Sequence, residues 1–184
     1  MTALVRRRRL LQEEGFTLIE LLMAMIVLTI GILALVAAYS SGYVALNRAT
    51  RVSSATLVAD SQMERFRALT YGKIALDTTC GASCNVDATY TGDSAYSAAA
   101  QVAGCPTTDA TCLPTQTRTG PDGKSYRLDT YVEYTCVSGS LSPSPLSCGS
   151  GNPYPVKRVT LVVRSSSLTT PVREQSTFTT FPGS

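Results

Sequence analysis

Gly15-Phe16-Thr17-Leu18-Ile19-Glu20 is the stretch on which the reading of this chain turns. Arg6, Arg7, Arg8 and Arg9 precede it, and Leu21 through Ala38 follow it with no charged residue. Phe16–Ala38 as one helix, at ~1.5 Å per residue, would be about 35 Å long, enough to cross a bilayer core of about 30 Å. A carboxylate at the edge of such a helix is costly and needs a partner. A positive charge from another chain would satisfy Glu20, which points to assembly. The arginines keep the N-terminal end in the cytoplasm and send the C-terminal part across the membrane.

Beyond the apolar run the periodicity changes. Val52, Ala59 and Phe66 recur every seven residues, and Ala55, Met63 and Leu69 fall three or four residues away, forming one stripe. Arg48, Arg51, Asp60, Glu64, Arg65 and Arg67 mostly occupy the other faces. No proline interrupts Phe16 to Tyr71, so the pattern predicts one helix to about Leu69, ending before Gly72. Its first half is apolar all round and its second half is amphipathic. The stripe, Met63 included, reads as packing against a sheet.

Two plainer readings compete for the N-terminal region. An ordinary secretory signal would use Val36-Ala37-Ala38 as its cleavage site and leave a chain beginning at Tyr39. Glu13, Glu14 and Glu20, with the length of the run, stand against it. A simple membrane anchor explains the length and the arginines. It leaves Glu20, and the continuation of the helix, without a reason.

The Gly15–Glu20 stretch, with the arginines before it and the apolar run after it, resembles the processing site and anchor of type IV pilins and pseudopilins. The resemblance covers Met1 to about Tyr71. It implies that a prepilin peptidase cuts between Gly15 and Phe16, that the new amine of Phe16 is methylated, and that Glu20 pairs with the terminus of a neighbouring subunit. Val27-Leu28-Thr29-Ile30-Gly31 and Met63-Glu64-Arg65 look most like a minor pilin of the pilin-V type, or a pseudopilin of similar sequence. Large pilins often carry a proline partway along the anchor. This chain has none before Pro106, so any local melting of the helix would rely on Gly31 or Gly42.

What remains of the 184 residues after position 15 suffices for one domain plus an anchor, not for two domains. Much of the 44% hydrophobic content sits in one run, which leaves the exported part a small core. The formal charge of +3 comes mostly from the leader, so the mature chain is near neutral. There is no histidine, which removes the commonest general base and metal ligand. Cys80, Cys84, Cys105, Cys112, Cys136 and Cys148 all follow the anchor and argue for an oxidising compartment. Six cysteines allow 15 pairings. Pairing of neighbours, Cys80 with Cys84, Cys105 with Cys112 and Cys136 with Cys148, closes three short loops. Zinc is the competing reading, and the spacing lacks paired Cys-x-x-Cys motifs.

Gly72–Lys124 reads as a long connection stapled by cysteines, with Asn85–Tyr90 a candidate short strand and Pro121-Asp122-Gly123 a turn. Tyr126–Cys136 alternates, with Tyr126, Leu128, Thr130, Val132 and Tyr134 on one face and Arg127, Asp129, Tyr131 and Glu133 on the other, as a half-buried strand does. Val156–Arg164 reads as a second strand, with Val159, Leu161 and Val163 inward and Arg158 and Arg164 outward. Val172–Phe181 is a third. A Ser-, Pro- and Gly-rich linker, Val137–Pro155, joins the first two.

No phosphate loop, nucleophile elbow or metal motif occurs. Asp87, Asp93, Asp109, Asp122 and Asp129 read as solvated loop acids more readily than as a calcium site. Tyr71, Tyr90 and Tyr96 read as local packing. Lys157, Arg158 and Arg164 form a thin basic edge, too little for a nucleic-acid footprint. The expected fold is α+β, pilin-like: residues 1–15 a cytoplasmic leader, 16–38 a transmembrane helix, 39–71 its amphipathic continuation, and 72–184 a small antiparallel, disulfide-stapled sheet head. The resemblance implies a structural minor subunit of a type IV pilus or related filament. It would have no catalysis, cofactor, metal or small-molecule substrate, and its partners would be prepilin peptidase, other pilins and the bacterial inner membrane. The final location would be a periplasmic or extracellular filament. A secretion pseudopilin, and a secreted or tip-displayed adhesion module, are the alternatives.

Overall fold

The computed structural model describes residues 17–80, 84, 86–105, 110–136, 156–166 and 168–179. The chain divides into two compact units, Met1–Leu46 and Asn47–Ser184. Helix α1, Leu18–Arg67, contributes to both.

In the second unit α1 buries Ser54, Ala55, Val58, Ala59, Gln62, Met63 and Phe66, a repeat of three and four residues that puts them on one face. Val52, expected in this stripe, is about half exposed. Gln62, a polar residue in the stripe, is buried because its Nε2 donates to the Thr111 carbonyl at 3.0 Å. After α1 a 3₁₀ turn, Tyr71–Lys73, starts the connection.

Four strands form an antiparallel meander in sequence order: β1 Thr115–Thr119, β2 Ser125–Thr135, β3 Val156–Arg164 and β4 Val172–Thr179. The expected sheet lacked β1. Its sequence, Thr-Gln-Thr-Arg-Thr, has no apolar alternation. It forms through the turn that follows, where Gly120 N–H donates to Lys124 O at 2.8 Å and Gly123 adopts a φ of 72°. Leu128 lies opposite Val163, Thr130 opposite Leu161, and Val132 opposite Val159. The apolar side chains of these pairs, with Tyr126, join Ala55, Ala59, Met63 and Phe66 in one core, to which Ile74, Leu76 and Val102 add. Fully burying each large apolar side chain contributes roughly 1.5–3 kcal/mol.

Lys157 shares that face of β3 and is buried, not part of a basic edge. Its Nζ donates to the Tyr71 carbonyl at 2.8 Å and the Ile74 carbonyl at 2.7 Å, and lies 4.5 Å from the Tyr71 ring centre. It thus ties the turn after α1 to the sheet. Burial lowers the Lys157 pKa and raises that of Tyr71 to about 12.

The opposite face of the sheet departs from the expected solvated one. Asp129, Tyr131 and Glu133 are fully buried, because the connection between α1 and β1 lies over them. Where Asn85–Tyr90 was a candidate strand, Ala88–Thr91 forms one helical turn, α2, capped by Asp87 Oδ1 on the Tyr90 N–H at 2.9 Å. Asn85 lies outside the described residues. Tyr90 stacks on Tyr131 with ring centres 4.5 Å apart. Tyr90 Oη donates to Thr130 O at 2.7 Å, and Tyr131 Oη to Tyr90 O at 3.0 Å. Burial pushes both phenols above their ordinary pKa. Further on, Val102 N–H donates to Val132 O at 2.8 Å and Tyr134 N–H to Ala100 O at 2.9 Å, so this segment extends the sheet edge past the end of β1.

Charges complete the cover. Arg127 grips Asp87 with two guanidinium nitrogens at 2.6 and 2.8 Å, and its Nε donates to Asp129 at 2.7 Å. Arg164 Nε donates to the other oxygen of Asp129 at 2.9 Å, and its Nη2 reaches Asp93. Arg173 closes on Asp93 through two nitrogens at 2.8 and 2.7 Å. The result is an alternating ladder, Asp87, Arg127, Asp129, Arg164, Asp93, Arg173. Asp93 and Asp129 are therefore buried structural partners, not solvated loop acids. Asp109 lies outside the described residues, and Asp122 accepts from Tyr126 Oη at 2.7 Å.

Two disulfides staple the same connection: Cys80–Cys84, with Cα atoms 5.2 Å apart, and Cys105–Cys112, at 6.0 Å. Cys136 is also disulfide-bonded, and its expected partner Cys148 lies outside the described residues.

Asp93 offers a test of the ladder. Burial raises its pKa, but hydrogen bonds from Arg173 and the Ala95 N–H, with the charges of Arg173 and Arg164, outweigh burial and hold it below its ordinary value. A lowered carboxyl contributes stability that is present at neutral pH and is lost as pH falls through its folded value, below about 4. Glu133 has the opposite sign. Burial raises it and Arg158 only partly offsets that, so its contribution is present at low pH and lost as pH rises through the folded value. We expect Asp93→Asn to destabilise the protein by about 2–3 kcal/mol at pH 7, since it removes the anion of Arg173 and one of the two anions of Arg164. Chemical denaturation of the detergent-solubilised chain measures this. The gap to wild type should shrink below about pH 4; an equal gap at pH 3 and pH 7 would show that charge is not what Asp93 contributes.

Candidate assembly site

The residues singled out for processing, Gly15 and Phe16, lie outside the described residues. The described chain begins at Thr17, whose carbonyl accepts the N–H of Glu20 at 3.0 Å and of Leu21 at 3.2 Å. Glu20 is thereby the acid of the first helical turn, with its side chain exposed. An anion here is favoured by the positive end of the helix dipole, worth roughly 0.3–1 kcal/mol at exposed sites. That local effect makes the charge tolerable and leaves its oxygens open to a cation from elsewhere.

From Thr17 through Thr50 no residue is buried. Leu18 is 77% exposed, Leu35 72% and Tyr39 78%. The surface is apolar on every side of the helix, with Leu21, Leu22, Met25, Ile26, Leu28, Ile32 and Leu33 among the exposed side chains. A soluble helix keeps one apolar stripe, whereas an apolar surface all round belongs with lipid or with other helices. α1 is long and apolar enough to cross a membrane.

Two hydroxyls in this run are satisfied by their own helix. Thr29 Oγ1 donates to Ile26 O at 2.8 Å, and Ser40 Oγ donates to Val36 O at 2.7 Å. Backbone and side-chain donors that close on their own helix are what a lipid environment requires. Gly31 and Gly42, the positions at which melting could start, are both within α1, and a Cβ at either would meet nothing within 4 Å. Tyr39 and Tyr43 stand at the end of the apolar run, where aromatic rings favour the membrane–water interface.

Among the described residues no group of three or more Cys, Asp or Glu side chains is placed to hold a metal ion. The sequence-level candidates therefore separate. Glu20 belongs to the exposed helix, and Cys80, Cys84, Cys105 and Cys112 staple loops in the second unit. Sequence reasoning missed the roles of Gln62, Lys157 and the ladder arginines. The alternating Arg127, Asp129, Tyr131, Glu133 was visible, but nothing in a strand pattern says whether its polar face meets water or a covering loop.

Residues 11–36 match the family model described as the prokaryotic N-terminal methylation motif. No curated protein and no solved structure matches the chain. The matched span covers the Gly15–Phe16 junction, Glu20 and most of the apolar run. Taken with the long apolar helix that carries it, the match supports a protein of the type IV pilin and pseudopilin family.

Proposed function

We propose that this chain is a minor structural subunit of a type IV pilus or related filament. The observation that carries the reading is the methylation motif at residues 11–36 on a helix that is apolar all round and uncovered by its own chain. Prepilin peptidase cuts after Gly15 and the Phe16 amine is methylated. Phe16–Ala38 holds the precursor in the inner membrane, with residues 1–15 in the cytoplasm and the head exported. The disulfides of the head suit the oxidising side of that membrane.

Assembly then exchanges lipid for protein. Lipid-facing side chains of one helix move against helices of other subunits and stay out of water throughout. Glu20 enters that dry bundle only with a partner, because an unpaired buried carboxylate costs several kcal/mol. The terminal amine of a neighbouring subunit supplies the opposite charge at the right end of the helix. This mechanism is the same for a pilus and for a secretion pseudopilus, and it calls for no catalysis, cofactor or small-molecule substrate.

Intact and N-terminal mass spectrometry of sheared filaments and membranes should find chains beginning at methylated Phe16. A chain beginning at Tyr39 would replace this reading with a secreted, disulfide-stapled module. Gly15→Val should leave unprocessed precursor in the membrane, and normal amounts of mature protein from that variant would contradict the cleavage position. Glu20→Ala should be processed normally yet appear in filaments about tenfold less, the effect of ~1.4 kcal/mol lost from assembly. Wild-type filament content would remove Glu20 from assembly. Leu28→Arg places a charge near the middle of the span at a cost of about 2.5–3.5 kcal/mol. Its membrane-retained fraction after alkaline extraction should drop sharply; full retention would mean that this stretch does not lie in the bilayer core.

A further inference from the structure

Among the described residues, the cover on the back of the sheet reaches β4 only at Arg173. Arg173, Gln175, Thr177 and Thr179 project from that face and are all exposed. Beside them a cleft of about 460 Å³ is lined by Ser94, Arg158, Thr160, Arg173 and Gln175. A second cleft of about 320 Å³ shares Arg158 and Gln175 with it and continues past Thr177 to Thr135 and Thr179. The pairing register explains the row, since Thr160 lies opposite Gln175 and Arg158 opposite Thr177. One groove thus runs along β3 and β4, lined by hydroxyls, an amide and guanidinium groups, with Ala95, Cys136 and Val156 as its apolar part.

Its accessible charge is one-sided. The side chains of Arg173 and Arg158 are 43% and 21% exposed, whereas those of their partners Asp93 and Glu133 are each 2% exposed. The acids lie beneath the arginines, so a ligand in the groove meets cations first. Arg158 spends one nitrogen, Nη2, on Glu133 at 3.0 Å. A guanidinium carries five donors, so it retains capacity for an anion. Glu174 also lines the cleft, but its carboxylate lies toward Arg67, at 3.9 Å.

We propose that this groove binds an acidic oligosaccharide, with a sugar carboxylate against Arg158 and Arg173 and ring hydroxyls against Thr160, Gln175 and Thr177. The hydroxyl-and-amide lining matches groups that both donate and accept. The lining offers no apolar anchorage beyond Ala95 in the first cleft and Cys136 and Val156 in the second, and a bound peptide would use more for its side chains. Nor does it contain an aromatic platform. A charged sugar needs none, because its carboxylate supplies a charge-assisted contact. The proposal is independent of the filament reading, since it concerns only the head.

The test is calorimetric titration of the full chain in detergent with a galacturonate tetramer, a neutral galactose tetramer and a tetraglutamate peptide. The uronate should bind, more weakly as salt is raised; the neutral sugar, which lacks the charge-assisted contact, and the peptide, which lacks the ring hydroxyls, should each bind at least about tenfold more weakly. Arg158→Gln should weaken the uronate about tenfold or more. Because that change strips Glu133 of its partner, Gln175→Ala and Thr177→Val serve as second variants on an exposed strand face. Each should weaken binding about threefold with the denaturation midpoint unchanged. No binding of the uronate, equal binding of the neutral sugar, equal binding of the peptide, or unchanged affinity in both β4 variants would each overturn the proposal.

Discussion

The whole molecule depends on one helix that meets two environments. Backbone N–H groups of an α-helix beyond its first turn find their partners within it, and the hydroxyls of Thr29 and Ser40 in α1 do the same. Self-sufficiency of this kind lets the first part present only apolar surface. The second part needs a different rule: it must be polar on one side and close-packed on the other. The change is made by side chains alone. Small and medium residues at Ala55, Ala59 and Met63 let the sheet approach, and Phe66 fills the space beside the strands.

The sheet in turn carries covers on both faces, and they are unlike. Toward α1 the contact is apolar and contributes through burial. Toward the connection it is aromatic and ionic. A buried ion ladder is a poor source of net stability, because desolvation offsets most of the attraction. Its value lies in placement. The three arginines come from three different strands, and two of the three acids come from the connection, so the charges fix where a long loop crosses the sheet. Tyr90 and Tyr131 fix the same crossing by exchanging hydrogen bonds with each other's strand or turn.

Much of this was legible in the sequence, and the reasons for the remainder are physical. α1 was readable because unbroken apolar residues and then a 3.6-residue stripe leave no other element. β2 and β3 were readable from alternation. β1 was not, since Thr and Gln at alternate positions give no contrast, and the strand exists through its turn and its pairing with β2. α2 was read as a strand because Asn85–Tyr90 contains Val and Tyr, whereas the Asp87 cap decides the local structure. The acids of the connection were read as solvated because burial of an acid depends on a distant arginine, and pairing over such separations leaves no local trace. Of the candidate assembly site, Glu20 stands out in the sequence as a charge out of place, and the proposed cleavage junction only through its motif.

The two covers differ in extent, and this leaves the head its free surface. The connection is held at Asp87 by Arg127, at Asp93 by Arg164 and Arg173, and at Gln101 by the β2 edge. None of these fixings lies beyond Arg173 along β4. The residues that follow on that face of β4, Gln175, Thr177 and Thr179, are polar and exposed, so the strand itself presents no apolar side chain there that demands a cover. Extending the loop across them would order more backbone, at roughly 1–2 kcal/mol per residue, without burying apolar area in return. An open polar groove beside a closed ionic seam is therefore the expected end of the cover, and the arginines at the boundary are left facing both.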